Sequence, residues 1–477
     1  MLENESANAA VQRTKKLYTI IYILTKEIYM KKHLAIILSL VLLTGCAGNS
    51  VPAENNVLTQ SETAEVSDNI YYLDAVDAVN IAEATHPAYV TKLRLAENYD
   101  DIKAEFLEKA KTIDNIDDFE YALQKYMVAY NDIHTALVPH EGGKMAEACS
   151  TFLDIDYTEH NGELVLCSGD GVPTQSVIES VGGVSIEELY KTIEEYFPLE
   201  NDEARSFTRS VNCLSLFVCE LSGCEIKDNA AEVVCSDKTF TAEFIKPEAD
   251  TTPEEEPVTL SAEMRGDILY IDFNKFEADE NFQKGLEDIK NAVDGGAKKV
   301  ILDMRDNRGG LIMLSQNVAG ALDIGLPVMG WRARRSSADF EAIKDNIEEQ
   351  IADTSFGEYP SSLLSARPNP DLDIAVLCSR NTWSAGIIMC ALMQDGKLGT
   401  IIGRSPREAV NMMGTRLDYD LPNTGTHVMF SGGYFYRPDE NADPDMLIPD
   451  ITVDEGTDIL DYTIHEYFKE SMIFVFR

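Results

Sequence analysis

The sequence predicts an α/β fold for its C-terminal half, and three features predict it. Two apolar runs of strand length, "DILYIDF" and "KKVILDMR", flank the helix-period segment "NFQKGLEDIKNAV". A third run, "DIAVLCS", leads into the apolar helix pattern "AGIIMCALMQ" that opens directly after Ser384. This alternation from Gly266 onward implies βαβ units with right-handed crossovers, and so a largely parallel sheet. With 477 residues and 44% hydrophobic side chains, the chain is long enough for two or three domains with sizeable cores.

The N-terminus reads as an address rather than as part of the fold. Residues 1–29 look like translated upstream sequence. Met30 then opens "MKKHLAIILSLVLLTGCAG", in which Lys31 and Lys32 form a basic start and Leu34 to Leu43 an apolar run too short to span a bilayer. The closing "LTGC" resembles the lipobox of bacterial lipoproteins. That resemblance implies cleavage of residues 1–45, a lipid on Cys46, and a protein held on the extracytoplasmic face of a bacterial cell membrane.

Residues 46–69 are small, polar and acidic, the composition of a flexible tether. Residues 70–146 carry apolar side chains at helical spacing, as in "FEYALQKYMVAY", with Pro87 and "DNIDD" dividing the run into three helices. Residues 147–246 change to short β-like runs ("GELVLCS", "AEVVCS", "TFTAEFI") around one acidic helix, "SIEELYKTIEEYF". The stretch "VIESVGGVSIEEL" resembles the strand, turn and helix of a degenerate PDZ-like module. Residues 247–259 are rich in proline and glutamate and read as a linker, and residues 260–470 form the α/β core.

The formal net charge of −42 excludes non-specific nucleic-acid binding. Eight cysteines follow Cys46, at 149, 167, 213, 219, 224, 235, 378 and 390, with no CxxC pair and few histidines nearby, so the spacing points to no zinc site.

In an open α/β sheet, sites form where strands hand the chain to helix N-termini, because unpaired N–H groups and the helix dipole converge there. The first such junction is "ILDMRDNRGGLI", where a strand ends at Asp303 and Gly309 and Gly310 permit close backbone approach. The second begins at Ser384. A serine there is either an N-cap or a nucleophile whose oxyanion would face the N–H of Ala385.

Together the junctions resemble the carboxy-terminal processing and tricorn family of serine peptidases. "ILDMRDNRGG" is similar to that family's Asp-x-Arg-x-Asn-x-Gly-Gly signature, and "NTWSAGIIMCALMQDGKLGTIIG" to the segment that carries its nucleophile. The resemblance extends through "LDYDLPNTGTHVMF" and "MLIPDITVD" and implies a core of crotonase and Clp-protease type. It implies Ser384 as nucleophile, an oxyanion hole from the N–H of Ala385 with one of Gly309 and Gly310, a protein or peptide substrate, and no metal or other cofactor. Processing members draw their base from a lysine downstream of the serine, but the corresponding position here is Ala409, and no lysine occurs between Lys397 and Lys469. The tricorn branch uses a histidine far upstream, and "AYNDIHTALVP" is similar to its Asp-x-His-Thr motif, which makes His134 the implied base. His86, His140, His160, His427 and His465 lack such a motif.

That branch also places a carboxylate shortly before a "PDI" strand, which here implies Asp443, with Glu440 one turn away. Ile133 stands where the tricorn tetrad has a serine. The expectation is a lipid-anchored serine endopeptidase working through an acyl-enzyme. The alternative is a catalytically inactive relative that binds peptides or chain ends.

Overall fold

The computed structural model describes residues 68–169, 171–247, 257–334 and 346–469. The expected signal segment, Cys46, the tether and most of the expected linker lie outside the described residues. No helix among the described residues is long and apolar enough to cross a membrane.

The N-terminal run forms four helices rather than three: α1 (Ile70–Thr85), α2 (Pro87–Thr91), α3 (Tyr99–Ala110) and α4 (Ile116–Met127). Pro87 breaks α1 and also starts α2, at the first helical position, where its missing N–H costs nothing. The imidazole Nδ1 of His86 caps the same turn, accepting from the N–H of Ala88 at 3.1 Å. A short strand, β1 (Ala136–Val138), follows.

Residues 147–246 build a seven-stranded sheet around the helix Ile186–Tyr196, whose Ser185 cap accepts from the N–H of Glu188. Two further helices, Asp202–Asn212 and Leu216–Leu221, were not legible in the sequence. One hydrophobic cluster joins α1, α3 and α4 (Ile81, Phe106, Phe119, Tyr126) to this sheet (Val181, Val233) and to Val428 and Phe430 of the C-terminal half. The helical region thus shares its core with its neighbours.

The C-terminal half supplies β2 (Leu260–Arg265), β3 (Ile268–Phe273), α5 (Glu280–Asp294), β4 (Lys299–Asp303) and β5 (Gly330–Arg334). After these come β6 (Phe356–Tyr359), β7 (Asp373–Cys378), α6 (Ala385–Asp395), β8 (Thr400–Gly403), β9 (Met413–Asp420), β10 (His427–Tyr436) and β11 (Ile451–Thr452). Six strands pair in the order β11-β8-β7-β4-β3-β2, parallel throughout except for β2 against β3. Alternation along each strand sorts side chains to two faces. Val300 and Leu302 pack under α5 and α6, while Ile301, Ala375 and Ile402 face Ile459 and Phe468 near the C-terminus. The helix α6 is apolar all round because it is buried from Ala385 to Met393.

The glycine at its C-terminal end does not take the left-handed conformation common at that position. Gly396 has φ −76°, and Lys397 takes the left-handed conformation with φ 51°. Space accounts for the glycine, since a Cβ there would stand 2.9 Å from Pro327.

A second sheet is antiparallel, β1-β10-β5-β6, with β9 also on β10. The carboxylate of Asp74 in α1 accepts from the N–H groups of Asn423 and Thr424 at 3.1 and 2.7 Å and so caps the β9–β10 turn. The first helix is thereby fastened to a hairpin about 350 residues away in sequence.

The contact between α5 and β2 leaves no room for a side chain at Gly285, where a Cβ would lie 2.6 Å from Leu260 Cγ and 2.8 Å from its carbonyl oxygen. Gly285→Val is expected to lower stability by about 1–3 kcal/mol through overpacking. Urea denaturation should show a reduced midpoint at unchanged slope.

Candidate active site

The two junctions are neighbours because β4 and β7 pair in parallel register, Asp303 beside Leu377. Both strands therefore deliver their loops to the same edge. Asp303 binds its own loop, taking Arg305 Nε at 2.9 Å and Nη2 at 2.7 Å in a two-pronged ion pair. Asn307 is fully buried and joins the junctions. Its Nδ2 donates to Phe273 O at 2.7 Å, its Oδ1 accepts from Gly309 N at 2.9 Å, and its carbonyl accepts from Trp383 N at 2.9 Å.

Gly309 has φ 75°, and a Cβ on it would stand 2.8 Å from Ser384 Cβ and 3.2 Å from Ala385 N. Glycine is needed there on both counts. The Gly309 N–H is taken by Asn307, whereas the N–H groups of Gly310 and Ala385 have no acceptor among the described residues. Of the glycine pair, Gly310 is the one with an N–H to offer.

Ser384 occupies the N-cap position of α6, yet its hydroxyl caps nothing. Its backbone sits at φ 50°, ψ −118°, a conformation rare for any residue but glycine. The strained turn lifts Oγ away from the helix, to 3.3 Å from His134 Nε2. A cap would have had the opposite geometry, with the hydroxyl folded onto the second or third helical N–H.

His134 arrives from 250 residues upstream on a loop just before β1. Ala136 of that strand pairs with Met429 of β10, which fixes the loop beside the core. Asp132 shapes it further, since its Oδ1 accepts from His134 N at 2.9 Å. The buried Asp132 carboxylate also accepts from Thr135 Oγ1 and Ser431 Oγ, each at 2.6 Å, and faces His86 Nε2 at 3.0 Å. Because His86 Nδ1 accepts from Ala88, Nε2 carries the proton and donates to Asp132. Burial disfavours ionisation of Asp132, but the hydrogen bonds from His86 and Ser431 outweigh it and hold the carboxyl well below its ordinary range.

The carboxylate brought to the far side of the imidazole is Glu408, which the sequence reading passed over. Its Oε1 faces His134 Nδ1 at 3.3 Å, without the alignment of a formed hydrogen bond, and its Oε2 accepts from Ser384 N at 2.6 Å. Asp132 Oδ1 is farther from Nδ1, at 3.8 Å. Burial pushes Glu408 well above the usual carboxylate range, and the nearby Glu200 and Asp132 add to this. Burial moves His134 the other way, below its ordinary value, with the charge of Asp132 opposing.

Ser384, His134, Ala385 and the glycine pair are thus together. Asp443 is not with them: after β10 the chain folds back under Arg437, and the Asp443 carboxylate caps a turn, accepting from Asp445 N at 2.8 Å and Met446 N at 3.0 Å. Glu440 lines a separate surface cavity with Tyr434 and Arg437. Glu408 stands next to Ala409, the position at which a lysine was sought. Its one sequence signal was a lone acid entering the apolar run "AVNMM".

A half-buried serine on a strand-to-helix turn, with an imidazole in reach and beside it two N–H groups that have no acceptor among the described residues, belongs to a class: the chain is a serine peptidase by its core. Residues 267–453 match the model of Peptidase family S41, and the chain carries a domain of that family. Among solved structures, mature CPAF complexed with lactacystin is 12% identical at a TM-score of 0.52, covering 85% of this chain and 98% of that one. Mature CPAF alone gives 12% and 0.51, covering 84% and 96%. The photosystem II D1 C-terminal processing protease is 17% identical at a TM-score of 0.38, covering 80% and 93%. The likeness to CPAF is one of fold. No curated protein matches the chain.

The strain at Ser384 is measurable. Ser384→Gly is expected to be more stable than Ser384→Ala by about 1 kcal/mol, because glycine relieves a positive φ worth ~1–3 kcal/mol while giving back part of it as chain entropy. Thermal denaturation of the two inactive variants side by side checks this.

Proposed function

We propose that the protein is a surface-anchored serine endopeptidase that cuts exported proteins or peptides through an acyl-enzyme. The observation that carries this is Ser384 itself, a residue in a helix-capping position that caps nothing, holds a strained backbone and faces a histidine at 3.3 Å. In the proposed reaction Ser384 Oγ attacks the scissile carbonyl carbon as His134 Nε2 takes the hydroxyl proton. The carbonyl oxygen, now anionic, receives hydrogen bonds from the N–H groups of Ala385 and Gly310. The C–N bond breaks as the imidazolium returns its proton to the leaving amine. Water, deprotonated by the same nitrogen, then splits the Ser384 ester and frees the second product.

Glu408 is the orienting partner in this reading. A proton on Nδ1 directed at Glu408 leaves the Nε2 lone pair free for the serine. Asp443 has no part in it. The intact approach of serine, imidazole and carboxylate favours an enzyme over an inactive binder.

The anchoring is proposed from "LTGC", with Cys46 as the lipidated residue and the extracytoplasmic face of a bacterial membrane as the location. The six-stranded sheet, parallel in all but one pairing, supports a crotonase and Clp-protease type of core over residues 260–470. The sheet around the helix Ile186–Tyr196 supports a degenerate PDZ-like module within residues 147–246, after a helical unit over 70–146.

Treatment of the purified protein with a fluorophosphonate probe tests the chemistry. Ser384 should be labelled, and His134→Ala should abolish labelling and peptide cleavage nearly as fully as Ser384→Ala. Glu408→Gln should slow labelling by about 100-fold or more, the scale seen when an orienting carboxylate is lost. The rate needs a neutral imidazole and an anionic carboxylate, so activity rises with pH through the titration of the His134–Glu408 pair. In Glu408→Gln the titration of that carboxyl is gone, and the midpoint should move down toward that of His134, which burial holds below about 6.5, the ordinary imidazole value. A wild-type protein unlabelled at Ser384 would overturn the assignment.

Anchoring has its own check. Cys46→Ser should abolish incorporation of a palmitate analogue and release the protein from the membrane fraction, while wild-type protein that carries no lipid would sink the anchor.

A further inference from the structure

One carboxylate of the middle segment reaches the site and has no role in the steps above. Glu200 lies between the helix Ile186–Tyr196 and the helix Asp202–Asn212 and is 7% exposed. Its Oε1 accepts from the N–H of Ile133 at 3.0 Å, and its Oε2 accepts from the N–H of Ala409 at 2.9 Å. Ile133 immediately precedes His134, and Ala409 immediately follows Glu408. A single side chain therefore spans the two loops that carry the imidazole and the carboxylate facing it.

The surrounding contacts hold Glu200 to this task. Asn131 Oδ1 accepts from Leu199 N at 2.7 Å, and Asn201 Nδ2 donates to Asp445 O at 3.0 Å, so the segment is stitched down on both sides of the carboxylate. The buried N–H of Ala409 and the half-buried N–H of Ile133 would lose their acceptors without it, at the cost of unpaired donors.

We propose that Glu200 is a positioning residue of the active site, a clamp from the middle segment that sets His134 and Glu408 at their working separation. The inference rests on the serine peptidase reading of Ser384 and His134.

The clamp also carries charge into the site. Charged and titratable groups around it are Arg94, Asp132, Glu408, His134 and Arg407. Burial pushes the Glu200 carboxyl up to about 7, with Arg94 opposing and Asp132 adding to the rise. Its negative charge in turn raises Glu408, so part of the acid limb of the rate belongs to Glu200.

The test compares fluorophosphonate labelling rates at Ser384 across pH in wild type, Glu200→Gln and Glu200→Asp, with thermal denaturation as the folding control. Glu200→Gln keeps the shape but turns an amide toward one of the two N–H groups and removes the charge. It should lower the limiting rate about 10-fold and move the midpoint of the acid limb down by about one pH unit, the scale of one nearby buried charge. Glu200→Asp retains the charge on a shorter reach, and should lower the rate while leaving the midpoint near that of wild type. A purely structural role would not separate the two variants in this way. If Glu200→Gln does not fold, Asn131→Gly, which keeps the left-handed backbone at φ 42° but frees Leu199, should slow labelling by about threefold or more. Folded Glu200→Gln with the wild-type rate and midpoint overturns the clamp alone, as does an unchanged rate in Asn131→Gly. Absence of wild-type labelling at Ser384 overturns instead the reading on which it rests.

Discussion

The buried amide of Asn307 is the constraint on which the site depends. Its two hydrogen bonds, with a third accepted by the Asn307 backbone carbonyl, hold the end of β3, the N–H of Gly309 and the chain before Ser384 as one body. An amide can do this because it offers donors and acceptors at fixed directions, and because in a dry interior each unmade bond would cost more than a made one gains. With the Gly309 N–H consumed by this bracing, the N–H groups of Gly310 and Ala385 are the ones left for the proposed oxyanion hole.

The second half of the site is assembled across the chain. His134 is set by the pairing of β1 with β10, by the Asp132 turn, and by the His86 and Ser431 bonds that keep Asp132 charged in a buried setting. The N-terminal helices thus help to fix the loop of His134, which agrees with the core they share with the middle sheet and with Val428 and Phe430. Two buried carboxylates, Asp132 and Glu408, face one imidazole, and a third, Glu200, holds the backbone on either side. They separate by their partners: Asp132 has four donors and stays ionised, whereas Glu408 has the single N–H of Ser384 and is pushed toward its neutral form.

What could be read from the chain was what is written locally. The apolar runs of β3, β4 and β7 and the periodicity of α5 imply a parallel sheet, because a strand buried on both faces has to be apolar at nearly every position. The glycine pair and the serine at a strand-to-helix turn were visible for the same reason, since their chemistry depends on backbone near in sequence. The antiparallel sheet was not visible, because β9 and β10 are half-polar and their order, β1-β10-β5-β6, is set by contacts between distant segments.

The α/β alternation of the C-terminal half and the strand-to-helix turn at Ser384 were therefore legible in the sequence, whereas the acid beside His134 was decided only in three dimensions. Asp443 sits at the sequence position where the resemblance looked for a carboxylate, but a turn consumes it. Glu408 lies in a stretch without a motif and reaches Nδ1 because the loop between β8 and β9 passes under Ser384, where Glu200 holds its backbone. A carboxylate's role depends on which donors surround it and how much water it has lost, and both are properties of the packed chain.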